Sequence, residues 1–102
     1  MALSIKGVIN PDGSIRLGTG FRCQKAGSGF YAIEFDTPFE KPPIAVCTLD
    51  GPLDVTQNRT VSIISVASCQ FVCATASPHN PEDVGFKFIV MGNQQESQAD
   101  AN

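Results

Sequence analysis

Large apolar residues recur at every second position in several short stretches of this 102-residue chain, and turn-forming residues separate those stretches. In residues 30–35, Tyr31, Ile33 and Phe35 share one parity while Ala32 and Glu34 take the other, so a strand here turns three large side chains inward. Val84, Phe86, Phe88 and Val90 alternate in the same way within residues 84–91. Residues 4–10, 14–17, 21–25, 44–49 and 70–76 read as further strands. Nine Gly and seven Pro fall between the runs, at the roughly 8–12-residue spacing of a sandwich or barrel, and helix has almost nowhere to form.

The connections carry their own chemistry. Asn10-Pro11-Asp12-Gly13 has Pro second and Gly fourth, the preference of a type I turn, and should close a hairpin. Ala26-Gly27-Ser28-Gly29 supplies left-handed angles for a second hairpin. Between them in role stands the segment 37–43, whose Pro38, Pro42 and Pro43 cannot donate to a ladder, so it should cross between sheets or run at an edge. Residues 50–58 read as a polar loop around Gly51-Pro52. Residues 59–67 are apolar at both parities, which predicts a strand covered on both sides, the second cover being a neighbouring subunit. Residues 77–83 have the Pro and Asx content of an exposed loop. From Gly92 onward no apolar residue larger than alanine occurs, so ordering that segment would gain too little burial to offset its entropy. The expected organisation is one β-sandwich domain over residues 1–92 and a flexible tail over residues 93–102.

Composition narrows the function. Hydrophobic residues make up 42% and charged residues 17%, the balance of a chain that folds around a core. Seven Lys and Arg against ten Asp and Glu leave a net charge of -3, which argues against the basic surface that nucleic acid requires. The first seven residues lack the layout of a secretory signal, and no apolar run approaches the length that crosses a bilayer. A soluble protein with no membrane insertion is expected, and no compartment is indicated. Without a secretory signal, Cys23, Cys47, Cys69 and Cys73 are expected as thiols. Cys69 and Cys73 lack zinc-knuckle spacing and His79 is the only imidazole, so neither a metal nor a cofactor is expected.

Catalytic chemistry has little to work with, and an enzyme is not expected. Cys23, Cys47 and Cys73 sit in apolar strand patterns where thiols stay protonated, which leaves Cys69 with His79 as the only Cys–His candidate. Glu34/Asp36 should lie on a solvated strand face and Glu82/Asp83 in a turn, neither placed to tune an acid. Gly18-Thr19-Gly20 and Gly27-Ser28-Gly29 precede no helix and read as turn glycines rather than phosphate cradles. Two loops remain, and they concentrate hydrogen-bonding groups that suit sugar hydroxyls: Asp54, Gln57, Asn58 and Arg59 in one, His79, Asn80 and Asp83 in the other. Ordinary surface loops share that composition.

Phe35-Asp36-Thr37-Pro38-Phe39-Glu40-Lys41-Pro42-Pro43-Ile44-Ala45-Val46, then Leu53-Asp54-Val55, Gln57-Asn58, Ser65-Val66, Cys69-Gln70-Phe71 and His79-Asn80, occur in an order that resembles the H-type lectins. The likeness covers about the last two-thirds of the domain. Its first third, from Gly7-Val8-Ile9-Asn10-Pro11-Asp12-Gly13 to Gly29-Phe30-Tyr31, looks more like repeat modules at the tips of phage tail fibres. Both resemblances imply a small antiparallel β-sandwich of the immunoglobulin-like class, assembled as a homotrimer or a higher multiple, that binds a glycan or cell-surface receptor at loops or subunit boundaries. The lectin pattern places Asn58 in the sugar site. Arg59 stands one position earlier than the lectins' arginine, and Pro78 precedes His79 where they carry a stacking Trp, a residue absent from this chain. The expected function is therefore a carbohydrate- or receptor-binding lectin-like trimer, with Asp54, Asn58, Arg59, His79, Asn80 and Asp83 as site residues. The alternative is a structural trimerisation module of a tail-fibre-like assembly with no sugar site.

Overall fold

β4 (Phe30–Phe35) buries Tyr31, Ile33 and Phe35 as its alternation predicts. In the computed structural model, which describes residues 2–93, this strand lies inside an antiparallel sheet ordered β3 (Phe21–Lys25), β4, β7 (Gln70–Ala76), β6 (Thr60–Val66). A second antiparallel sheet is ordered β2 (Ile15–Leu17), β1 (Ala2–Ile9), β8 (Phe86–Asn93), β5 (Ile44–Leu49). The two pack face to face as a small β-sandwich, so the fold class is the one expected.

The core is a line of aromatic rings between the sheets. Phe88 meets Phe21 edge-on at 5.0 Å and Phe71 at 5.2 Å, Tyr31 meets Phe86 at 5.0 Å, and Phe35 meets Phe39 at 5.0 Å. Edge-to-face pairs of this kind add about 0.5–1.5 kcal/mol each beyond the area they bury. Phe39 comes from the proline-rich segment, which passes from β4 in one sheet to β5 in the other, with its amide donated to the Ser68 carbonyl at 2.8 Å. The crossing is anchored by its one large apolar side chain. The Phe21 ring packs directly on Gly7, where a Cβ would stand 2.4 Å from it, so any larger residue there would have to displace the ring.

Both hairpins form as their turn chemistry predicts. Gly13 donates its amide to Asn10 at 2.9 Å, and Asp12 accepts from both the hydroxyl and the amide of Ser14, which holds its carboxyl below the ordinary value. β3 and β4 pair across Gly27 and Gly29, both at positive φ.

Two expectations are corrected, and the apolar pattern of β6 has a local cause. Within the loop 50–58, Leu53–Thr56 form a single helical turn, α1, whose first carbonyl acceptor is Pro52, bonded by the amides of Val55 at 2.9 Å and Thr56 at 3.0 Å. Within the single chain β6 is an edge strand with one face on the core: Val61, Ile63 and Val66 face inward, whereas Thr60, Ser62 and Ser65 are exposed. Its apolar residues fall at both parities because the register slips between Ile63 and Ser65, so the inward set changes from odd to even positions and Ile64 is left outside. Lastly, β8 begins at Phe86 rather than at residue 84 and runs to Asn93. Val84 is still buried ahead of it. The expected flexible tail otherwise falls on residues 94–102, outside the described residues.

Truncating Phe88→Ala should cost about 3–5 kcal/mol because the ring serves both sheets, whereas Ile64→Ser at the bulge should change stability by less than about 0.5 kcal/mol. Urea-unfolding midpoints of the two variants measure the difference.

Candidate functional site

Thr60 of β6 stands opposite Ala76 of β7, so the chain entering β6 and the chain leaving β7 emerge at the same end of the sandwich. This antiparallel pairing brings the two polar loops together. Asn58 and Arg59 come from one side, and residues 77–83 from the other.

Thr75 fastens the second loop. Its side chain is fully buried at an inward position of β7, below Phe71 and Cys73, and its hydroxyl donates to the Glu82 carbonyl while accepting the Val84 amide at 3.3 Å. Its backbone takes part as well, donating to the Gly29 carbonyl at 2.7 Å and accepting the Glu82 amide at 3.0 Å. Gly29 completes the knot by donating its amide to Asp83 Oδ1 at 2.6 Å. A Cβ on Gly29 would lie 2.4 Å from the Thr75 carbonyl oxygen and 2.9 Å from the Glu82 nitrogen, and the residue has φ +78°. The loop is thus clamped to the β3–β4 turn.

Asp83 is committed to that clamp. Burial pushes its carboxyl up, but the Gly29 amide and the Lys25 ammonium, 3.0 Å away, more than offset this and hold it below the ordinary value. Arg59 is committed too: its Nε donates to Glu82 Oε2 at 2.9 Å and its Nη1 to the Gln57 carbonyl at 3.1 Å. The Arg59–Glu82 pair ties one loop to the other. Its distance is good, but both side chains are partly exposed, so its contribution to stability is small.

Asn58, His79 and Asn80 are exposed. Asn58 has φ 59°, the only described residue other than glycine at positive φ, and follows the last turn of α1 where a left-handed residue ends the helix. Asparagine tolerates this conformation better than most residues. Asn80 donates its amide to Ser77 Oγ at 3.2 Å, and its carbonyl accepts the Ser77 amide at 2.9 Å, so His79 is carried at the tip of a small closed turn. Among the described residues no hydrogen bond engages the side chains of Asn58, His79 or Asn80. Asp54 lies on α1, exposed between Leu53 and Val55.

Two contributors were not anticipated as such. Glu82 holds Arg59, although its sequence setting marks it only as a turn carboxylate. Thr75 did carry a signal, since a threonine at the inward parity of Phe71 and Cys73 must find a partner for its hydroxyl.

The thiols occupy other places. Cys69 precedes β7 and His79 follows it, so seven strand residues separate the two and they form no pair. Cys73 is buried, and a hydrogen bond with Cys47 from the opposite sheet, together with burial, pushes its thiol far above the ordinary value. Burial raises Cys23 to about 11. Among the described residues no three His, Cys, Asp or Glu side chains are grouped to hold a metal, and no helix is long and apolar enough to cross a membrane.

Gly29→Ala should destabilise the fold by about 3 kcal/mol or more, since positive φ and a backbone clash act together. Chemical denaturation gives the value. Asp83 supplies a pH signature: with its folded pKa lowered, its contribution is complete above the ordinary carboxylate value of about 4 and is lost as pH falls through the lowered one. Asp83→Asn should therefore flatten the fall in thermal midpoint between about pH 5 and pH 2. Compared with protein-family models, curated proteins and solved structures, the chain matches none.

Proposed function

We propose that this chain is a carbohydrate- or receptor-binding module of the lectin kind that acts as a trimer, with its ligand held where the loops 50–59 and 77–83 meet. The observation that carries this reading is the clamped loop end: Asn58, His79 and Asn80 are exposed on segments fixed by Thr75, Gly29 and the Arg59–Glu82 pair. Fixed donors and acceptors suit sugar hydroxyls, because their ordering cost is met in folding rather than on binding. The resemblance to the H-type lectins supports the same positions. Asn58 and His79 are the principal ligand groups, and Asn80 adds its amide. Arg59 and Asp83, already engaged, hold the loops, while Asp54 lies beside the site on α1.

With no Trp to stack on a sugar ring, one site should be weak, and useful binding depends on several copies engaging together. A second reading, a structural assembly module without a sugar site, is favoured by the exposed apolar side chains Ile44, Val46, Ile89 and Met91 on the outer face of one sheet.

A glycan array followed by calorimetry on the folded protein tests the first reading. Asn58→Gly keeps the left-handed backbone while deleting the amide, and His79→Ala deletes the imidazole. Each should weaken glycan binding about tenfold, roughly 1.4 kcal/mol, at an unchanged unfolding midpoint. Absence of any glycan ligand, or variants that bind as well as the parent, would leave the assembly reading in its place.

A further inference from the structure

The register of the sheet β2-β1-β8-β5 fixes what its outer face presents. Ile44, Met91 and Ser4 form one row, Val46, Ile89 and Lys6 the next, and Thr48, Lys87, Val8 and Leu17 the third. Leu17 is 63% exposed, Ile44 66%, Val46 56%, Ile89 46% and Met91 47%. Together they present on the order of several hundred Å² of apolar-rich surface, a size at which such patches mark interaction sites. A groove of about 290 Å³ runs across it, walled by Val8, Leu17, Val46 and Ile89 and flanked by Lys6 and Lys87. No carboxylate stands in these rows. Asp50, in the chain following β5, already pairs with Arg16 and lies 3.7 Å from Lys87.

Elsewhere the chain displays the complementary pattern. α1 buries none of its residues, and Leu53 (75% exposed) and Val55 (43%) flank the exposed carboxylate of Asp54. Local folding does not require these apolar groups to be outside, since the turn could close with polar residues.

We infer that the outer face of this sheet receives the Leu53-Asp54-Val55 turn of a second copy of the chain, Leu53 and Val55 against the apolar walls and Asp54 between Lys6 and Lys87. Charge selects this arrangement over the simplest alternative. Stacking the face on its own copy would bring two Lys6 and two Lys87 together with only Asp50, which each Lys87 already shares with Arg16, to offset them, whereas the acidic turn brings a further carboxylate to that charge. The contact joins two different surfaces, so each copy offers one turn and one groove. Such a head-to-tail contact generates a ring when the rotation between copies closes. This deepens the trimeric part of the function proposed above, places the loop end with Asn58 beside a subunit boundary, and does not depend on glycan binding.

Sedimentation equilibrium and light scattering of the whole chain test the pairing through charge reversal. The parent should associate at micromolar concentration, and Asp54→Lys or the Lys6→Glu/Lys87→Glu pair should each raise the dissociation constant at least tenfold, with circular dichroism confirming the fold. Combining all three substitutions should restore association. Leu53→Ser, which leaves charge alone, should also weaken it. A parent that stays monomeric at about 100 μM, reversed variants that associate like the parent, or a triple variant that fails to reassociate would each overturn the pairing. Because none of these measurements contains a sugar, their failure is separate from failure of the glycan assay.

Discussion

Phe88 is where the two sheets meet, its ring edge-on to Phe21 of β3 and to Phe71 of β7. That contact exists only while β8 keeps its register between β1 and β5. A slip of one residue would carry Lys87 and Ile89 into the core and expel Phe86, Phe88 and Val90, all buried in the present arrangement. The cost of burying a lysine without a partner rules that alternative out, so the aromatic line sets register as well as supplying apolar burial. The same register then dictates the outer rows, and with them the juxtaposition of Ile44, Val46, Ile89 and Met91 around two lysines.

At the loop end the limiting condition is different. Loop backbone needs partners when it lies against a core, and here Thr75 and Gly29 provide them with one buried hydroxyl and one left-handed glycine. Asp83 and Glu82 are adjacent in sequence yet serve different ends, Asp83 clasping the β3–β4 turn and Glu82 holding Arg59. Polar groups that resemble ligand donors in the sequence are thus divided between those spent on the scaffold and those left outward. Asn58, His79 and Asn80 belong to the second group.

Much of the fold was legible in the chain. Tyr31, Ile33, Phe35, Phe86 and Phe88 alternate over uninterrupted strands, and the β1–β2 and β3–β4 hairpins carry turn residues whose angles admit few readings. The apolar residues at both parities of β6 follow from a bulge that changes parity in mid-strand, and a bulge leaves no mark in a simple count of apolar positions. α1 was missed because a single turn is too short to show helical periodicity. The loop pair could be proposed from composition, but the commitments of Arg59 and Asp83 depend on Glu82, Lys25 and Gly29, partners between 23 and 58 residues away along the chain. The exposed apolar face was not legible at all, since Ile44 and Val46 look the same in sequence whether they face a core or the surrounding water.

β8 is the last strand among the described residues but sits in the interior of its sheet, pairing with β1 from Ala2 opposite Asn93 to Ile9 opposite Phe86, and with β5 on its other side. During synthesis, therefore, β1 and β5 emerge long before the strand that joins them, and both have unpaired edges until it arrives. Contacts between β1 and β8 are among the most distant in sequence within the described residues, and closing so large a loop slows folding. Until β8 has been made, those two edges are open to pairing with the wrong strand.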